Sequence, residues 1–360
     1  MAEWTLTSDD LEALALGAGI LGTGGGGNVY VAKLWIRELL ARGNVIRMID
    51  PDDLADDALV VGTGGIGAPT VSFEKLRRGD EETRAVRALE ANLGRRFDAV
   101  VPVEAGGANS MRPMAVAALT GIPVVDADGM GRAFPELQMT TFHIYGAAAT
   151  PAAIADEKGN VTVWIEPLDA KELERVARAR CVEMGGTAGM ADPVLTGAMV
   201  KRTAIPRTLS LARRVGAAVL EARERKEDPV DALLAVIGGR LLLRGKIVDV
   251  ERRTAQGFAR GSVRIAESGN GRTLAIDFQN ENLVARAGAT VLASVPDLIC
   301  VVQSDDAEPI GTELLRYGYR VSVVVVPAPE LLTTTEALAV VGPRAFGYEV
   351  DWIPGGIPNV

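Results

Sequence analysis

The segment Gly121 to His143, reading GIPVVDADGMGRAFPELQMTTFH, holds the densest set of residues in this chain that could do chemistry. It opens as an apolar run, Ile122-Pro-Val-Val125. It then places Asp126, Asp128, Arg132, Glu136 and the single histidine, His143, in a stretch broken by glycines. Apolar strands that end abruptly in acidic, glycine-containing residues are how open α/β sheets present polar groups to a ligand. A second such edge lies upstream, where Ala99-Val-Val-Pro-Val103 runs into Glu104-Ala-Gly-Gly-Ala-Asn109, and Pro113 to Leu119 between them reads as a short helix. Strand, helix and strand in so short a span form a βαβ unit whose parallel strands finish on one edge. Glu104 and Asn109 are therefore expected beside Asp126 and Asp128.

Carboxylates gathered at one rim repel, and a raised pKa, an arginine partner or a divalent cation relieves them. Carboxylate and amide oxygens suit a hard or borderline metal, and His143 would turn the choice toward zinc or iron, with Asp126, Asp128 and His143 as ligands. A lone histidine is also often a satisfied structural residue, and Asp126 has the alternative of capping its loop through backbone N–H groups. On the catalytic reading, Glu104, Asp126 and Asp128 activate water, through a metal or directly. Arg132 would hold an acidic substrate tail in a bidentate contact. Asn109 and Glu136 complete the polar lining.

The elements that must position these groups begin with Thr7-Ser-Asp-Asp10, whose hydroxyl-x-x-acid spacing caps a helix running to about Gly19. The chain then enters Gly22-Thr-Gly-Gly-Gly-Gly27-Asn28, followed by a helical pattern from Val29 to Arg42. Gly22, Gly24 and Gly27 match GxGxxG, and Asp50 stands where a ribose-binding acid would, but a dinucleotide fingerprint needs a strand before its first glycine. A helix precedes here, so no nicotinamide cofactor is expected. Ala58-Leu-Val-Val61 leads into a second glycine run, Gly62-Thr-Gly-Gly-Ile-Gly67-Ala-Pro-Thr70. Gly24, Gly25 and Gly26 of the first run, with Gly64, Gly65 and Thr70 of the second, are expected to wall one pocket. Their N–H groups would face a carbonyl or anion. A tight helix-to-helix turn is the plainer role for the first run.

At 360 residues, 48% of them apolar, the chain is long enough for two cores. The boundary is expected near residues 166 and 167. The first part is an α/β domain with three layers and a mostly parallel sheet. The second has a helical lead-in, Asp169 to Arg180 and Pro206 to Arg225, followed by short β-runs that suggest a mainly-β, barrel-like domain. Those runs are Leu241–Val250, Gly261–Ala266, Thr273–Phe278, Val291–Ser294, Leu298–Val302 and Arg320–Val326. Gln279-Asn-Glu281 and Asp297 interrupt them and either reach the site or make turns. A net charge of −9 without a basic block argues against nucleic acid as partner. No leader-like start or membrane-length apolar run is present, so a cytoplasmic protein is expected. Cys181 and Cys300, far apart, read as reduced thiols. The sequence is compatible with a homo-oligomer.

The segments LGTGGGGNVY, GTGGIGAPTV, VEAGGAN, PVVDADGMGRAFPELQMTTF, PDLI, RYGYRVSVVVVPAP and VGPRAFGYEVD, in this order along nearly the whole chain, resemble the DUF917 family, the S-methyl-thiohydantoin desulfurase-like proteins. The resemblance implies an N-terminal three-layer α/β domain followed by a barrel-like β domain. It also implies an association with hydantoinase/oxoprolinase-type enzymes and with removal of sulfur from thiohydantoin rings, as in ergothioneine breakdown. The expected activity is hydrolysis or desulfurisation of a small cyclic amide or thioamide. The alternative is a non-catalytic or regulatory subunit that docks on a hydantoinase-type partner.

Overall fold

Thr7 starts the first helix as its spacing predicts. Its hydroxyl accepts from the N–H of Asp10 at 3.2 Å and the Asp10 carboxylate accepts the N–H of Thr7 at 3.1 Å, closing a capping box on helix Ser8–Leu21. Asn28 caps the next helix, Val29–Ala41, by accepting from the N–H of Tyr30 at 2.7 Å. The first glycine run is thus a turn between two helices, with Thr23, Gly24, Gly26 and Gly27 all at positive φ. The structure, a computed structural model, describes residues 3–68, 71, 74–255, 258–267, 269 and 271–355, with the side chains of 254 and 255 left out.

Among the described residues the first sheet has eight strands. Their order is Trp4–Thr5, Arg47–Ile49, Val124–Val125, Ala99–Pro102, Leu59–Gly67, Thr187–Thr196, Ala152–Ala155 and Val161–Trp164. The four strands from Arg47–Ile49 to Leu59–Gly67 run parallel, and those at either flank attach antiparallel. Strand alternation sends Val61, Val100 and Val124 into one core with the helices Ser8–Leu21, Glu81–Leu93 and Arg112–Thr120. Val60, Val101 and Val125 enter another core with Phe142 and Val200 of the short helices Thr141–Ile144 and Gly197–Thr203. Helix, sheet and helix make three layers, as expected.

Two elements from beyond residue 167 belong to this first body. Strand Thr187–Thr196 pairs along Leu59–Gly67, and helix Thr208–Arg225 lies against Ser8–Leu21. The helices meet at glycines: a Cβ on Gly17 would fall 1.8 Å from the carbonyl oxygen of Ala212, and one on Gly216 would fall 1.8 Å from that of Ala13. The second glycine run is not a loop. Gly62 to Gly67 is the end of the strand Leu59–Gly67, and its small residues admit close neighbours. The Cβ that Gly65 lacks would lie 2.4 Å from Cζ of Arg112.

The second sheet is antiparallel throughout and curls as a half-barrel. Its order is Thr290–Ser294, Glu281–Ala287, Thr273–Gln279, Phe258–Glu267, Arg240–Ala255, Arg320–Val326 and Leu298–Gln303. Each expected β-run falls in one of these strands. The strand Glu281–Ala287 was not expected, because Gln279-Asn-Glu281 at its start read as an interruption of the β-runs with turn chemistry. No helix among the described residues is long and apolar enough to cross a membrane.

Candidate functional site

The glycine turn, the segment after strand Ala99–Pro102 and the first residue of Glu281–Ala287 converge. Thr23 accepts the N–H of Asn282 and Gly24 accepts that of Thr312, each at 2.8 Å, so the turn is docked on the second sheet by its own backbone. Gly26 accepts the N–H of Asn109 at 3.2 Å and Gly27 that of Ala108 at 3.0 Å, which docks the other side. Between them opens a cleft lined by Glu104, Asn109, Arg112, Asp192, Glu281 and the glycines 26, 27, 65 and 67, with Glu136 and Arg178 also in its wall. Its interior cavity is about 90 Å³, room for a small ligand.

Glu104 is 4% exposed. The amide of Asn109 donates to one of its oxygens, and the N–H of Phe134 donates to the other at 3.3 Å. Burial outweighs these bonds and pushes its carboxyl up to about 8. Glu281 is buried as well, and one of its oxygens has no hydrogen-bond partner among the described residues. Burial, and then the nearby charge of Glu104, hold Glu281 well above the usual carboxylate range against the pull of Arg132 and the N–H of Gly26. The two acids therefore disfavour each other's ionisation. Asn280, in a left-handed turn at φ 58°, aims Glu281 by locking onto Ala259, with N–H to carbonyl at 2.8 Å and N–H to Oδ1 at 2.9 Å.

Arg112 lines the cleft with its guanidinium over Gly65 and its Nη1 on Glu82 at 2.5 Å. Its Nε is buried with no hydrogen-bond partner among the described residues. Arg178 is tied to Glu174, and its Nη2 donates to the carbonyl of Pro135 at 3.0 Å. The cleft thus carries two anchored cations beside its acids.

Of the expected site residues, Glu104, Asn109, Glu136, Gly26 and Gly65 line this cleft. Others do not. Asp126 turns away to helix Thr208–Arg225, where it accepts the Ser210 N–H at 3.0 Å and the Ser210 hydroxyl, so it is the remote cap of that helix. Asp128, fully buried, gathers the N–H groups of Ala105, Met130 and Gly131 at 2.6, 2.9 and 2.7 Å and folds its own loop. Burial raises its carboxyl to about 7 despite those donors. Arg132 is also fully buried, and all five of its N–H donors are taken. They go to Ala133, Pro296, Asp297, Asn282 and the Thr23 hydroxyl at 2.7–3.3 Å, leaving nothing for a substrate. Gly24 and Gly25 face a neighbouring hollow, Gly64 makes room for Val103, and Thr70 lies outside the described residues. The expected oxyanion donors are occupied too: the N–H of Gly65 goes to Asn109 at 2.8 Å and that of Gly26 to Glu281.

The expected metal ligands do not converge. Asp126 faces Ser210, Asp128 its own loop, and Nε2 of His143 meets Asp192 at 2.9 Å. Among the described residues no group of three or more His, Cys, Asp or Glu side chains is placed to hold a metal ion. Asp192, Arg112 and Arg178 are site residues for which no role was expected, and Glu281 was expected either to reach the site or to make a turn. Glu281 was at most visible as a polar interruption of a β-run; Asp192 sits in a strand whose Gly-Met-Ala-Asp-Pro text has no β-pattern.

Models of the S-Me-THD-like N-terminal domain and the S-Me-THD-like C-terminal domain match residues 9–166 and 168–355 of the chain. An X-ray crystal structure of a protein from Chromobacterium violaceum has the same fold, with a TM-score of 0.81 and 25% identity over 98% of this chain and 100% of that one. The comparison with curated proteins found no match.

Proposed function

Because the chain belongs to the S-Me-THD-like family along its length, we propose that its cleft hydrolyses a small five-membered cyclic amide or thioamide of the hydantoin or thiohydantoin type. Water attacks the ring carbon between the two nitrogens. A thiohydantoin and water then give a hydantoin and hydrogen sulfide, or a C–N bond breaks and the ring opens. The observation that carries the reading is a carboxyl group raised to about 8, Glu104, in a cleft it shares with Glu281. A carboxyl that keeps its proton at neutral pH is a general acid for a departing sulfur or nitrogen. Glu281 keeps Glu104 company as a second proton-holding acid. Arg112 and Arg178 take the role first expected of Arg132 and meet an anionic substituent on the ring.

The purified chain, given 2-thiohydantoin and hydantoin, is expected to release sulfide or open the ring, and Glu104→Gln to lower kcat by about 10²–10⁴ fold, the usual span of acid–base catalysis. Absence of turnover by the chain alone, with turnover restored by a hydantoinase-type partner, would instead support a binding subunit.

A further inference from the structure

The chain's only histidine serves a carboxylate in the cleft. Asp192, on strand Thr187–Thr196, is 2% exposed and lines the same cleft as Glu104. Its Oδ2 lies 2.9 Å from Nε2 of His143, and both side chains are 2% exposed. Its Oδ1 is buried and has no hydrogen-bond partner among the described residues. On the far side of the ring, Nδ1 of His143 lies 3.4 Å from the carbonyl oxygen of Ala147. A carbonyl and an ionised carboxylate only accept, so this environment favours a proton on both ring nitrogens. The backbone holds the pair in place: the Thr140 hydroxyl accepts the N–H of His143 at 3.2 Å, and a Cβ on Gly62 would fall 2.3 Å from the Asp192 carbonyl oxygen.

Resting on the hydrolytic reading of the cleft, we infer that Asp192 is the general base that takes a proton from the attacking water, and that His143 is its positioning residue. A buried acceptor on a residue of the cleft wall, with no donor among the described residues, is the place where a water or substrate proton is lacking. The other titratable groups in that wall are Glu104, Glu136, Glu281, Arg112 and Arg178. Burial raises the Glu104 carboxyl to about 8, and Asp192 has the His143 ring nitrogen at 2.9 Å, so acid and base are distinguished by their surroundings. In the balanced sequence Asp192 takes one proton of water while the hydroxyl joins the ring carbon and Glu104 protonates the sulfur. On collapse Glu104 recovers the hydroxyl proton, the C–S bond breaks, and sulfide leaves with the proton held by Asp192. Both carboxyl groups return to their starting states, and thiohydantoin plus water has become hydantoin plus hydrogen sulfide.

The test uses the full chain with 2-thiohydantoin, measuring kcat and KM from pH 5 to 9, and follows the single histidine by NMR. Asp192→Asn is expected to lower kcat by about 10²–10⁴ fold while KM moves less than threefold. His143→Gln should lower kcat per folded molecule at least tenfold while KM moves less than threefold, because the Asp192 carboxylate loses the ring nitrogen that holds it at 2.9 Å. A purely structural role would lower the amount of folded protein and leave kcat per folded molecule unchanged. By NMR, His143 should stay charged to higher pH in the native chain than in Asp192→Asn, a readout independent of turnover. A wild-type chain that is active beside an Asp192→Asn chain within threefold of it overturns the base assignment and leaves the hydrolytic reading standing. A native chain that releases no sulfide and opens no ring removes that reading, and the base assignment falls with it.

Discussion

The Cβ that Gly25 lacks would lie 2.0 Å from Oε1 of Glu281. The glycine turn is therefore built for the approach of an acid from the second sheet, with no side chain between them. Gly25 is not among the residues at positive φ, so Gly25→Ala meets a steric penalty and no backbone one. Overpacking of this kind costs about 1–3 kcal/mol. The expected result is a folded chain of lower denaturant midpoint in which Glu281 is displaced and sulfide release falls at least tenfold. Wild-type turnover in a folded Gly25→Ala chain would show that the position of Glu281 does not matter.

Glu104 makes stability depend on pH in a defined direction. Its carboxyl titrates near 8 in the fold against an ordinary 4.5, so between those values the unfolded chain has released a proton that the folded chain keeps. Stability then falls as pH rises; the contribution is whole below 4.5 and gone above 8. Glu104→Gln cannot ionise and loses that slope. Relative to the wild type it should gain about 3–4 kcal/mol in urea unfolding on going from pH 5 to pH 8, with catalysis lowered. A parallel pH dependence in both chains would contradict the buried-acid assignment.

Asp126 is expected to matter for folding and not for turnover. Removing a side-chain helix cap costs about 0.5–2 kcal/mol. Asp126→Ala should lose about that much in chemical denaturation, while kcat per folded molecule stays within threefold of wild type. A hundredfold loss of kcat would return Asp126 to the reaction.

Arg132 ties the glycine turn to the second sheet through Thr23, Asn282, Pro296 and Asp297. Substitution by Met leaves those acceptors unpaired and removes the positive charge facing Glu281. Breaking one side of a buried charge pair costs about 3–5 kcal/mol. Arg132→Met should yield little soluble protein, and Arg132→Lys should not rescue it, since an ammonium lacks the five-donor fork. Normal yield and melting of either variant would refute the brace.

What the chain text settled by itself was local. The capping box at Thr7, the strand–helix–strand from Ala99 to Val125 with its parallel pairing, the spacing of the later β-runs, and Glu104 at the end of its strand all follow from patterns within a few residues of each other. Side-chain alternation and caps obey short-range sterics, so the text encodes them directly. The family was legible for the same reason, as a series of short segments in order.

The tertiary structure alone decided where each charged group points. Asp126, Asp128 and Arg132 sit in the most chemically suggestive segment, yet each is bonded to backbone and to distant elements: Ser210, Ala105, Asn282. The glycines of Gly62 to Gly67 look like a ligand loop until the strand Thr187–Thr196 is laid beside them. Asp192 and Glu281 join Glu104 only because the first sheet borrows a strand from beyond residue 167 and the second sheet docks on the glycine turn. A buried polar group must find its partners wherever the packing brings them, and those partners lie far along the chain. Residue type and spacing therefore name the candidates, and burial and pairing choose among them.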